Sequence, residues 1–201
     1  MDDDIQKYIR CMKEIKLRDK VIENILGCKN STGRRMTNIE FVCLQFRKIC
    51  EIIILSALCA HKRDFIKVRS NIKKVSEPNK IRKILEKIHP EFYPIPFERI
   101  IDKSTGKPKN ELITNGYLTK DECIDLIGRC GGVLHGFNPY NDTEVFKEVD
   151  AVENQFSEWQ MKVRRLLKTH EIKLLGMSKQ LWVYMAKGPN QKVSVEERVP
   201  L

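Results

Sequence analysis

The chain has 201 residues, 41% of them apolar and 32% charged, with a formal net charge of +10 and seven cysteines. The apolar share supports one packed domain and excludes a disordered chain. The longest apolar run, residues 52–60 with Ser56 inside it, is too short to span a membrane, and an odd number of cysteines within apolar patterns points to a reducing compartment rather than a disulfide scaffold. The opening Met1-Asp2-Asp3-Asp4 lacks the basic-then-apolar character of a targeting segment, so a cytoplasmic chain with no membrane partner is expected.

The charge is unevenly placed. Residues 1–90 hold 21 Lys or Arg against 11 Asp or Glu, whereas residues 91–201 hold 16 of each. The excess is densest over residues 61–90, where Lys73, Lys74, Arg82 and Lys83 are candidate polyanion contacts. A face of one sign attracts and steers a polyanion; a solvated helix surface is the plainer reading of the same run.

In chain order, Ile5, Ile9, Met12, Ile15, Ile22 and Ile25 form one apolar stripe, predicting a helix over residues 4–26 that Gly27 terminates. Residues 29–35 read as a polar loop. Thr37 and Glu40 have capping-box spacing ahead of Phe41, and the apolar positions from Phe41 to Leu58 predict a long central helix buried over most of its surface. Glu51 stands among Ile49, Cys50, Ile52 and Ile53, where a buried carboxylate needs a partner. Arg47, one turn earlier, would make Glu51 structural; contact with Arg129 would make it support a site.

A short helix is predicted over residues 78–88, with Pro78 in its first turn and Pro90, Pro94 and Pro96 closing it. Residues 97–119 read as a small hairpin inserted between helices, turning at Lys103-Ser104-Thr105-Gly106-Lys107-Pro108. A second capping box, Thr119 with Glu122, starts a helix at Lys120 that carries Cys123, Ile124, Ile127 and Arg129, and Gly136-Phe137-Asn138-Pro139 ends the element. Val145, Val149, Val152, Phe156, Trp159, Val163 and Leu166 predict a last long helix over residues 143–168. Beyond it, residues 172–175, 181–185 and 193–195 read as short strands. Trp182 and Tyr184 share a strand face that suits a small packed sheet better than a base-stacking platform. The expected fold is therefore mainly α: a helical bundle over residues 1–170 with a short inserted segment at about 97–119, and a small C-terminal β-hairpin or sheet over 171–201.

Cys43 and Cys50 are seven residues apart, as are Cys123 and Cys130, so each pair shares a helix face. Neither pair has the spacing of a zinc knuckle. Core packing is the expected role, and no metal or other cofactor is expected.

Arg129 and His135 are the residues with chemistry to offer. An imidazole titrates near neutrality and moves protons, whereas a guanidinium is a permanent cation whose planar fork suits phosphate oxygens. Such a pair meets the needs of phosphodiester cleavage in RNA: a base for the 2′-hydroxyl and a cation for the charge developing on the phosphorane. Five residues, Cys130 to Leu134, separate the two. Six positions on a regular helix place side chains roughly 120° apart, so Gly131 and Gly132 are read either as a break that turns both toward one cleft or as a point of close helix packing.

The stretch Leu126-Ile127-Gly128-Arg129-Cys130-Gly131-Gly132-Val133-Leu134-His135 resembles the Arg, four to six residues, His motif of the HEPN superfamily, helical bundles that include many metal-independent endoribonucleases. The resemblance implies catalytic roles for Arg129 and His135, a homodimer whose interface assembles the cleft, and RNA as substrate, with Asn138 and Tyr140 near enough to contact RNA or the facing subunit. By the same analogy the chain would be a toxin or antiviral defence effector restrained by a regulatory protein partner. Cys130 stands where many active relatives carry a polar residue, which favours the alternative of a non-catalytic module binding RNA or a partner protein.

Overall fold

The computed structural model describes residues 3–60, 78–135, 149–173 and 180–198. The first two helices form a hairpin. Helix α1 (Asp3–Leu26) buries Tyr8, Ile9, Met12, Ile15 and Ile22, and Asp3 and Asp4 stand in its first turn, where the helix dipole favours negative charge. It ends at Leu26, as expected; the left-handed residue is Cys28 (φ 54°), one beyond Gly27, whose N–H donates to the Glu23 carbonyl at 2.9 Å.

Helix α2 (Arg35–Ala60) starts two residues before the expected cap. Thr37 lies inside the first turn, its hydroxyl donating back to the Arg34 carbonyl at 3.0 Å, while the Asn38 side chain accepts the Thr32 N–H at 2.7 Å. The Thr37 and Glu40 spacing therefore caps nothing, because both residues are already helical. Packed against α1 and the helices Pro78–Ile88 and Lys120–Leu134, α2 is the central helix that its composition implies. Helix α3 (Pro78–Ile88) occupies the expected residues.

Helix α4 (Lys120–Leu134) opens with the expected capping box, Thr119 N–H to Glu122 Oε2 at 2.8 Å and Glu122 N–H to Thr119 Oγ1 at 3.3 Å. Its buried face is Cys123, Leu126, Ile127, Cys130, Gly131 and Val133, and it lies against α2. Cys123 meets Cys50, its Sγ 3.9 Å from the Cys50 carbonyl oxygen, and Cys130 lies beside Cys43. The neighbouring thiols and burial push the Cys50 and Cys130 thiols well above their ordinary range, so they stay neutral.

The long last helix expected over residues 143–168 is interrupted; residues 143–148 lie outside the described residues. Residues 149–153 are helical, Asn154 and Gln155 form a turn, and α5 (Phe156–Leu167) follows. The Gln155 N–H reaches the Val152 carbonyl at 3.0 Å, an i to i−3 bond that tightens the chain. Just beyond the turn, Phe156 and Trp159 pack on the fully buried Phe46 of α2, with ring centroids 5.8 and 5.7 Å away.

The inserted hairpin is β1 (Ile95–Ile101) and β2 (Pro108–Leu112), antiparallel, with Phe97 opposite Leu112. Three further strands follow α5: β3 (Thr169–Lys173), β4 (Gln180–Lys187) and β5 (Lys192–Arg198). The hairpin and the C-terminal strands, separate in the sequence reading, join one five-stranded sheet in the order β2-β1-β3-β4-β5, because Ile95 pairs with Glu171 and Pro96 with His170. Ile172, Leu181, Val183 and Val193 belong to the same apolar core as the helices. Among the described residues, no helix is long and apolar enough to cross a membrane.

A buried polar contact ties the two ends of the chain together. His170 and Tyr8 are both fully buried, with the Tyr8 hydroxyl 2.8 Å from His170 Nε2 and His170 Nδ1 3.0 Å from the Leu167 carbonyl oxygen. A carbonyl only accepts, so Nδ1 carries the proton and Nε2 accepts from Tyr8 in the neutral ring. Burial lowers His170 from 6.5 to about 4. Between those values the unfolded chain binds a proton that the folded chain refuses, so stability rises with pH across the window and falls on acidification, by up to about 3 kcal/mol at its lower edge. Urea unfolding of the wild type between pH 7 and pH 4 should show this slope, and His170→Gln should flatten it; an unchanged slope in the variant would assign the acid sensitivity to other groups.

Candidate functional site

The site is governed by the register of α4. Pairing Cys43 with Cys130 and Cys50 with Cys123 runs the two helices antiparallel, and it fixes Cys130 facing inward. The residues on either side of Cys130 then emerge on opposite flanks of the α2–α4 seam. Arg129 emerges on the α5 flank, where its Nη1 donates to Gln155 Oε1 and its guanidinium carbon lies 5.1 Å from the centroid of the Trp159 ring. Gly131 emerges on the other flank.

The glycines do not break the helix. Helical structure continues through Gly131 and Gly132 to Leu134, and His135 is the C-cap, exposed and extended (φ −72°, ψ 145°), with its N–H on the Gly131 carbonyl at 3.1 Å. Arg129 and His135 therefore keep the roughly 120° separation of a continuous helix. Close helix packing does not require Gly131 either: a Cβ there would make an ordinary van der Waals contact, 3.5 Å from Arg47 Nη1. Gly132 is exposed and faces open space.

Glu51 takes the structural partner. Its Oε1 accepts from Arg47 Nε at 3.1 Å and its Oε2 from Lys48 Nζ at 3.0 Å, on one face of α2. This leaves Arg47 held by Glu51 on one side and pressed against the motif helix on the other. In the sequence Arg47 signals only a partner for Glu51, and Gln155 and Trp159, 26 or more residues from Arg129 along the chain, carry no local signal that they hold it.

The basic candidates fare differently. Arg82 Nη1 donates to Glu86 Oε1 at 2.9 Å and approaches Asp121 Oδ1 at 3.4 Å, with only 19% of the side chain exposed, so carboxylates already engage it. Lys83 is exposed on α3. Lys73, Lys74, Asn138 and Tyr140 lie outside the described residues. Trp182 packs on Phe97 with centroids 5.4 Å apart and has the Arg198 guanidinium 5.3 Å from its ring centroid; Lys187 lies 4.8 Å from that of Tyr184. Protein groups thus already pack on both rings. Among the described residues, no three His, Cys, Asp or Glu side chains are grouped to hold a metal ion.

The two motif residues should differ in their effect on stability. Arg129→Ala removes a charged hydrogen bond and a cation–π contact and should lower unfolding free energy by about 1–3 kcal/mol. His135→Ala, at an exposed cap, should change it by less than about 0.5 kcal/mol. Chemical denaturation of both variants measures this difference, and equal losses would contradict the assigned environments. No protein-family model, no curated protein and no solved structure matches this chain.

Proposed function

We propose that the chain is a HEPN-like, metal-independent endoribonuclease in which His135 moves the proton of the 2′-hydroxyl and Arg129 stabilises charge on the phosphate. The observation that carries this reading is the exposed imidazole of His135 at the end of the helix that also presents Arg129, with Cys130 turned inward between them. An exposed histidine at a helix terminus can meet a backbone phosphate without rearrangement of the core. Because the two side chains diverge around one helix, the reading includes a homodimer, in which the Arg129 of one copy faces the His135 of the other. A role as a toxin or defence effector under a regulatory protein belongs to the same proposal, by resemblance to the superfamily.

A second reading has its own support. Gln155 and Trp159 already engage Arg129, which suits a non-catalytic module whose motif helix has become structural. Incubating the purified chain with RNA in EDTA separates the two. The nuclease reading expects cleavage leaving 2′,3′-cyclic phosphate ends, with His135→Ala binding RNA but not cutting it. Cleavage by His135→Ala at the wild-type rate would remove His135 from the chemistry, and salt-dependent binding without cleavage at any pH would favour the module.

A further inference from the structure

The flank of α4 that carries His135 has its own cation, and it comes from α2. The antiparallel seam sets the C-terminal end of α4 beside the first half of α2. Side chains on a helix lean toward its N-terminus, so Arg47, four residues beyond Cys43, reaches back along α2 to Gly131. Its Nη1 lies 3.5 Å from the position of a Cβ there. His135 is four residues beyond Gly131 and bonded to it through the helical N–H, which puts it one turn further on the same face. Arg129 is on the opposite flank, against Trp159.

We propose that Arg47, oriented by Glu51, is a phosphate-contacting residue for single-stranded RNA on the His135 side of the motif helix; this rests on the RNA-directed reading above. Glu51 takes the Nε hydrogen at 3.1 Å, so the Nη groups remain to fork onto phosphate oxygens. The side chain is one-third exposed, which leaves it reachable by a ligand and less screened than a fully solvated lysine. Glu51 is itself only 19% exposed and is held by Lys48 on its second oxygen, so it fixes the plane of the guanidinium. An RNA strand crossing the end of α4 would place one phosphate on Arg47 and the next sugar near His135.

The test is the salt dependence of binding to a short single-stranded RNA by the full chain. Each phosphate contact contributes about 0.7 to the slope of log affinity against log salt for a single strand. Arg47→Gln should reduce the slope by about that amount and weaken binding several-fold at low salt, Arg47→Lys should restore the slope, and Glu51→Gln should weaken binding with the slope unchanged. A purely structural Arg47 would lower thermal stability and leave the slope intact, and a wild-type slope in a folded Arg47→Gln protein would overturn the proposal. If Arg47→Gln does not fold, the Arg47→Lys and Glu51→Gln pair decides: wild-type affinity in both overturns it. Wild-type binding without cleavage, with the slope still reduced in Arg47→Gln, would retire the nuclease reading and keep this one. No binding by the wild type would retire both.

Discussion

The contact between α2 and α4 along paired thiols is the constraint on which the candidate site depends. Cysteine is small enough for two helices to approach closely and apolar enough to stay buried, and burial beside neighbouring thiols keeps Cys50 and Cys130 neutral. Two pairs spaced by seven residues on both helices lock the rotation of α4 as well as its position. Once Cys130 faces α2, Arg129 has to face α5, and Gly131 with His135 has to face the Arg47 side. The chemistry of the flanks follows from which residue was chosen to be buried.

The sheet secures the other half of that geometry. The α5 helix runs directly into β3, and the chain turns with His170 bonded to both Leu167 and Tyr8, which joins α1 to the C-terminal third. The β1–β2 hairpin, pairing through Ile95 and Pro96, completes the sheet, and its buried Phe97 packs on Trp182 of β4. This anchoring positions α5, and α5 presents Trp159 while the turn before it presents Gln155 to Arg129. The contact that occupies the guanidinium is therefore built from segments far apart in sequence.

Local signals in the chain were reliable where one residue's chemistry sufficed. Thr119 with Glu122 gave a true helix start, whereas Thr37 with Glu40 failed because the helix already begins at Arg35, which pairs with Asp150 and Glu153, and Met36, which packs on the core. The break at Asn154 and Gln155 has no glycine or proline to announce it, and the seating of Phe156 and Trp159 on Phe46 just beyond it is a contact no local pattern encodes. The glycine pair in the motif offered a break, yet α4 runs through it, and the neighbour of Gly131 is Arg47, more than eighty residues earlier.

By itself the sequence determined the mainly helical class, the bounds of α3 and the start of α4, the strand-forming tendency of the C-terminal third, and the presence of Arg129 and His135 on one element, because periodicity, capping and turn chemistry act over a few residues. Only the tertiary structure decided that the hairpin and the last strands make one sheet, that Glu51 belongs to Arg47, and that Arg129 and His135 leave the helix on different flanks beside different cations and rings. Those outcomes depend on which faces are buried against one another, and burial is settled by the whole core at once.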